Sequence, residues 1–143
     1  MSIERVKESY ARQGFMKALN AELISVEQGE VKITCDFTDN LTQQHGYFHA
    51  GVITTIVDTA CGYAAMTMVS DKSEVLSTEF KVNFLRPART DKLIAIGKVL
   101  KAGRTLTVCE GYVYDSSETT LIAKMTATII SVNADKQSRI EIQ

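Results

Sequence analysis

The sequence predicts an α+β domain in which a curved antiparallel sheet wraps one long buried helix. Three observations carry this expectation. The run from Val52 to Val69 contains no proline and a single charge, Asp58. Segments with strand-like alternation lie on both sides of it. The later segments are joined by short connections, which imply antiparallel neighbours.

In chain order, Ile3, Val6 and Tyr10 fall on one stripe, so an N-terminal helix is expected over residues 1–14, ended by Gly14. Phe15 to Asn20 reads as a connector, and Glu22 to Gln28 as a strand. Gln28-Gly29 turns the chain into Val31 to Phe37, where Val31, Ile33, Cys35 and Phe37 alternate with Lys32, Thr34 and Asp36. A polar loop from Asp39-Asn40 leads to the central helix, expected over residues 50–69. There Val52, Ile56, Ala60 and Ala64 step by four, and Ile53, Val57, Cys61 and Ala65 repeat the step one residue on. Apolar surface on most sides marks a helix covered on most sides. Gly62 in its middle costs roughly 1 kcal/mol relative to Ala, so packing or ligand access must compensate. Val75 to Leu85 follows as a long strand, with Leu76, Phe80, Val82 and Phe84 on one face and Ser77, Glu79, Lys81 and Asn83 on the other. Arg86-Pro87-Ala88 breaks it with the chain's only proline. Lys92 to Lys101, Thr105 to Tyr114 and Thr120 to Val132 complete the strands, and residues 133–143 form a polar tail that is expected to fray.

Composition narrows the function. A chain of 143 residues suits one domain with its own core, and residues 1–143 are read as such. The net charge is −1 with no basic block, so nucleic acid is not the expected partner. A membrane span over the apolar run would place Asp58 near its centre at about 2.5–3.5 kcal/mol, so no membrane is expected. Cys35, Cys61 and Cys109 are odd in number and without CxxC spacing. They read as reduced, buried thiols of a cytoplasmic protein, not as metal ligands. The first dozen residues are charged and amphipathic, unlike a signal peptide.

The densest cluster of chemically able residues is Gln43-Gln44-His45-Gly46-Tyr47-Phe48-His49-Ala50-Gly51, with Asp58 nine residues after His49. The run resembles the Asn-x-x-Gly-x-x-His-Gly-Gly hallmark of hotdog-fold thioesterases of the phenylacetate-degradation type, in which an acidic residue follows on the central helix. A second likeness is Ser77-Thr78-Glu79-Phe80 leading to Asn83-Phe84-Leu85-Arg86-Pro87-Ala88. The resemblance spans roughly residues 15 to 132 and implies a hotdog fold, acyl-CoA thioester hydrolysis, and a site shared across a homodimer or a dimer of dimers. Two departures stand out: Gln43 where Asn is usual, and Ala50 where the first Gly of the pair is usual. Ala50 keeps the backbone N–H that the family uses.

The chemistry agrees with this likeness. The helix start offers unpaired N–H groups and partial positive charge. The Ala50 N–H, with that of Gly51, would stabilise an oxyanion. Asp58 would be the general base on water or the nucleophile; its bland reading is a core carboxylate bonded to Thr54 or Thr55. His49 is a supporting residue, Gln43 an orienter of water or substrate, and Ser77 a holder of the water. Gly46, Tyr47, Phe48 and Thr78 are candidate substrate contacts. Arg86 and Arg104, with Arg89 and Lys101 near them in sequence, could meet the phosphates of coenzyme A, which belongs to the substrate; no separate cofactor or metal is expected. Ala50 and Asp58 stand eight residues apart, roughly 12 Å along a helix at about 1.5 Å per residue. One carbonyl cannot touch both within a chain, so joint action requires a dimer. Two alternatives are a hotdog dehydratase or hydratase with His49 as base, and a non-catalytic acyl-CoA-binding module.

Overall fold

The computed structural model describes residues 3–133. Met1, Ser2 and the tail from residue 134 onward lie outside the described residues, so the fraying expected of that tail is not addressed. Helix α1 (Ile3–Ala11) and a short α2 (Gly14–Ala18) precede strands β1 (Ala21–Glu27) and β2 (Glu30–Asp36). A single 3-10 turn (Asp39–Leu41) leads to the long helix α3 (Ala50–Met66). Strands β3 (Ser73–Phe84), β4 (Lys92–Ala102), β5 (Leu106–Tyr114) and β6 (Leu121–Asn133) follow. The six strands form one antiparallel sheet in the order β1-β2-β4-β5-β6-β3. Curved around α3, this is the hotdog fold.

The helix seats in a dent made by two glycines. Gly97 on β4 and Gly111 on β5 are direct cross-strand partners. A Cβ at Gly97 would lie 2.4 Å from the Ala60 carbonyl carbon, and one at Gly111 would lie 2.4 Å from Val57 Cγ2. Sheet backbone therefore meets helix backbone at Gly97 and the Val57 and Cys61 side chains at Gly111, and Ile56, Val57, Ala60, Cys61, Ala64 and Ala65 are fully buried. The stepwise apolar pattern of the helix is the record of this burial. No helix among the described residues is long and apolar enough to cross a membrane.

Four expectations change. The connector after Gly14 is helical over Gly14–Ala18, because Met16 and Leu19 turn inward as anchors, and five residues are too few to show a period. The central helix stops at Met66, not at residue 69. Thr67 caps it, donating from Oγ1 to the Ala64 carbonyl at 2.6 Å and accepting from the Gly29 N–H at 2.7 Å. The short link between β3 and β4 does not make them neighbours: β3 pairs with β6 at the sheet edge, and residues 85–91 carry the chain back to β4 beside β2.

The fourth change bears on function. The sequence alternation sets Ser77 opposite Phe80, Val82 and Phe84. The structure puts all four on one face, because the β3–β6 register shifts between Ser77 and Glu79. Thr78 is the extra residue of a bulge, and one extra residue exchanges the faces of everything beyond it. Ser77 opposes Ile129 and Phe80 opposes Ala127, both on the buried side of β6. Leu76 moves to the other face.

Candidate active site

The site is built from both halves of α3. At its start, His49 is the N-cap, with extended backbone (φ −65°, ψ 140°), and its Nδ1 accepts the Gly51 N–H at 2.8 Å. This fixes the tautomer with the proton on Nε2. The His49 carbonyl accepts the Val52 N–H at 3.0 Å. Of the first three helical N–H groups, only that of Ala50 has no partner among the described residues. The Gly51 N–H, expected as a second oxyanion donor, is taken by the cap.

The preceding loop is shaped by its own side chains. Gln43 Oε1 accepts the N–H groups of His45 and Tyr47, and Gly46 sits at φ +84° where the chain reverses. Gln43 therefore braces the turn with its carbonyl. Phe48 is 3% exposed and packs edge-on to Phe37, so it plugs the core beneath the loop. Tyr47 lies outward, under the Arg89 guanidinium, whose carbon is 5.0 Å from the ring centroid. Arg89 also donates to the Tyr47 hydroxyl. Gln43, Tyr47, His49, Ala50 and Arg86 line one cleft of about 230 Å³ at this end of the helix. Arg86 is held there by donating to the Leu121 carbonyl at 2.7 Å.

Asp58, two turns further along α3, opens into a different cavity of about 430 Å³. Ser77 Oγ donates to Asp58 Oδ1 at 2.6 Å. This contact exists only because the bulge turns Ser77 inward. Burial raises the Asp58 pKa above its ordinary value, and the Ser77 hydrogen bond opposes part of that rise. Thr54 and Thr55 do not hold the carboxylate: their hydroxyls donate backward to the Ala50 and Gly51 carbonyls at 2.9 and 2.7 Å. Neither cavity contains both Ala50 and Asp58.

Thr78 and Arg104 lie away from these cavities. Thr78 occupies the bulge and donates to the Thr128 carbonyl at 3.0 Å. Arg104 lies in the β4–β5 turn. The nearby Val99 N–H donates to the Gly29 carbonyl at 2.8 Å, and Gly29 bonds Thr67. That turn is therefore at the C-terminal end of α3, opposite Ala50. The cysteines are buried and free; burial raises all three thiols, Cys35 to about 11, so none is poised as a nucleophile. Among the described residues no group of His, Cys, Asp and Glu converges as a metal-ligand set.

One wall of the Asp58 cavity was not legible in the sequence. Ser9 of α1, Gln13 between the two helices and Phe15 of α2 close it. Gln13 Nε2 donates to the Tyr63 hydroxyl at 3.0 Å, and Ser9 Oγ lies 3.0 Å from the same oxygen. These residues are some fifty positions from Tyr63, and no local pattern links them.

Residues 45–122, more than half of the chain, match the family model described as the thioesterase superfamily. The chain belongs to the thioesterase superfamily. Among solved structures, this thioesterase-superfamily chain is similar to a thioesterase family protein from Silicibacter pomeroyi, at 40% identity and a TM-score of 0.88, covering 92% of this chain and 98% of that one. Among curated proteins it is 33% identical over 94 residues to a provisionally named esterase of Saccharolobus solfataricus, covering 66% of each. It is also 24% identical over 105 residues to the 1,4-dihydroxy-2-naphthoyl-CoA hydrolase of Listeria monocytogenes, covering 73% of this chain and 85% of that protein. Within the superfamily match fall Ala50, Asp58 and Ser77; Gln43 and the N-terminal wall lie before it.

Proposed function

We propose that the protein hydrolyses acyl-CoA thioesters at a site formed by two copies of the chain. Asp58 of one copy activates water, and the Ala50 N–H of the other donates a hydrogen bond to the carbonyl oxygen as negative charge develops on it. Water attacks the thioester carbonyl carbon while Asp58 takes its proton. The resulting oxyanion points at the Ala50 N–H, where the positive end of α3 adds to its stabilisation. Collapse breaks the C–S bond, and the proton held by Asp58 passes to the departing coenzyme A thiolate. A direct attack by Asp58, with an anhydride hydrolysed afterwards, uses the same residues and ends in the same products.

The observation that carries this reading is the separation of the two halves. A half-buried carboxylate braced by Ser77 and a bare helical N–H face different cavities of one chain. The edge strand β3 supports a second copy. Among the described residues it pairs only with β6, and Phe80 and Phe84 on its inner face remain 43% and 48% exposed. A long apolar edge of this kind invites a partner. Arg86 and Arg89, beside the Ala50 cleft, are the cations we assign to the coenzyme A phosphates. The acyl-CoA thioester in the name of the Listeria relative supports the substrate class. Three unpaired thiols suit a reducing, cytoplasmic setting.

The dehydratase alternative needs His49 as a base. Its Nδ1 is engaged in the helix cap as the acceptor of the Gly51 N–H, which counts against its serving as that base.

The test is hydrolysis of an acyl-CoA panel (short, medium, long, aromatic), read as free thiol with the protein's own three cysteines blanked. Wild type should release thiol from at least one member. Asp58→Asn should lower that rate by about 10²–10⁴-fold, the usual worth of a positioned base. No release from any thioester by the wild type, or an undiminished rate in the variant, would overturn the reading.

A further inference from the structure

Gly62 is the one glycine in the interior of α3, and packing within the chain does not explain it. Gly97 and Gly111 are glycines because a Cβ would strike the helix. A Cβ at Gly62 would meet no atom within 4 Å. Glycine there costs about 1 kcal/mol of helix stability against alanine, and the missing side chain leaves open space.

That space belongs to the Asp58 cavity. Gly62 lines it, one helical turn beyond Asp58, about 6 Å along the axis. Met66, a further turn on, lines it too, and Phe15 closes it from the N-terminal side. Asp58 and Glu74 both line the cavity and no lysine or arginine does; Glu74 is paired with Arg5 at 3.6 Å, which leaves Asp58 as the charge a ligand meets. The hydroxyls of Thr54, Thr55 and Thr59 each donate to a carbonyl one turn back, so only their lone pairs are left to face a ligand.

We infer that Gly62 sets the acyl specificity of this site. It admits the part of an acyl group that extends more than one helical turn past the reacting carbonyl, and the walls restrict that part to uncharged groups. The inference rests on the thioesterase reading for the position of the carbonyl at Asp58. An acyl tail running along α3 passes over Gly62 towards Met66 and Phe15. A tail ending in a carboxylate would meet the half-buried Asp58 carboxylate without a cation in the lining to offset it, and like charges shielded from water repel. The Thr lone pairs likewise offer no donor to a carboxylate.

The experiment compares wild type with Gly62→Leu on straight-chain acyl-CoAs of increasing length, and on pairs of equal length with and without a terminal carboxylate. Leucine is a better helix former than glycine, so the variant should fold and melt no lower than wild type. For acyl groups that reach past Gly62, kcat/KM should fall by about tenfold or more, since even one methylene in a pocket is worth about 10–200-fold. Acetyl- and propionyl-CoA should be hydrolysed as by wild type. Wild type should prefer the uncharged member of each pair by about tenfold or more. Equal losses at every length, no loss at any length, or a changed oligomeric state in Gly62→Leu would overturn the inference; the last would assign Gly62 to an approach between copies. If wild type hydrolyses no thioester, the thioesterase reading fails separately. Binding of the same acyl-CoAs, followed by calorimetry, then decides the matter: a wild-type preference for long uncharged chains that Gly62→Leu removes upholds the assignment, and equal binding by both proteins overturns it.

Discussion

Asp58 sits where burial disfavours its charge and one hydrogen bond favours it. Burial lifts its pKa, and the 2.6 Å bond from Ser77 lowers it. A base works only when unprotonated, so activity should fall as pH drops through this raised pKa. Ser77→Ala removes the group that favours the charged form, so the pKa should rise further. The acid limb of the kcat/KM profile is expected to move to higher pH, while the rate well above that limb survives in part. A limb that stayed in place or moved down would mean that Ser77 does not tune Asp58. The same bond explains the serine's identity: its hydroxyl is short enough to reach the carboxylate from a neighbouring strand, and only the bulge at Thr78 aims it there.

At the scale of elements, α3 depends on two contacts of different kinds. Its start depends on the His49 cap, which occupies the Gly51 N–H and leaves the Ala50 N–H exposed. Its middle depends on the paired glycines of β4 and β5. Gly97→Ala would drive a methyl group to about the position 2.4 Å from the Ala60 carbonyl carbon. The helix would have to lift from the sheet, at a cost of about 1–3 kcal/mol, the usual range for overpacking. Urea unfolding should show this as a lower midpoint with an unchanged slope. A midpoint equal to wild type would show that the helix and sheet can separate freely at this crossing.

At the scale of the whole molecule, the question is whether one active site draws on two chains. Ala50→Pro removes the proposed oxyanion donor with little disturbance. Ala50 is the first residue of α3, where proline is favoured in helices, and His49 before it already has the extended backbone that proline requires. Ala50→Pro and Asp58→Asn should each be inactive alone. Unfolded together and refolded at equal concentrations, half the dimers would be mixed, and each mixed dimer would contain one intact site. Activity should then recover to about a quarter of wild type. If Ala50 and Asp58 of one chain served the same site, mixing would recover none, and the shared arrangement would be wrong.

Local pattern was enough to determine the long elements, though not the five-residue α2 or the point where α3 stops. The alternation of Val31, Ile33 and Cys35 marks β2, and the four-residue steps from Val52 to Ala64 mark α3, because burial on one face or on most faces leaves its period in the residues themselves. The loop ending at Ala50-Gly51 and the acid at position 58 stand out in the sequence by their spacing along one helix; the roles given to Ala50 and Asp58 are the ones we propose. Tertiary structure decided what depends on neighbours distant in sequence. The bulge that turns Ser77 inward is a mismatch between β3 and β6, visible only when the two strands are paired. The place of β3 at the sheet edge depends on which partner it takes, and a short connection does not dictate that. The Tyr63 contacts with Ser9 and Gln13 bring together residues with no common period. Gly97 and Gly111 read as ordinary strand glycines until the helix is laid across them. A sequence records the period of each element's own burial; the meeting of two elements depends on geometry that neither encodes alone.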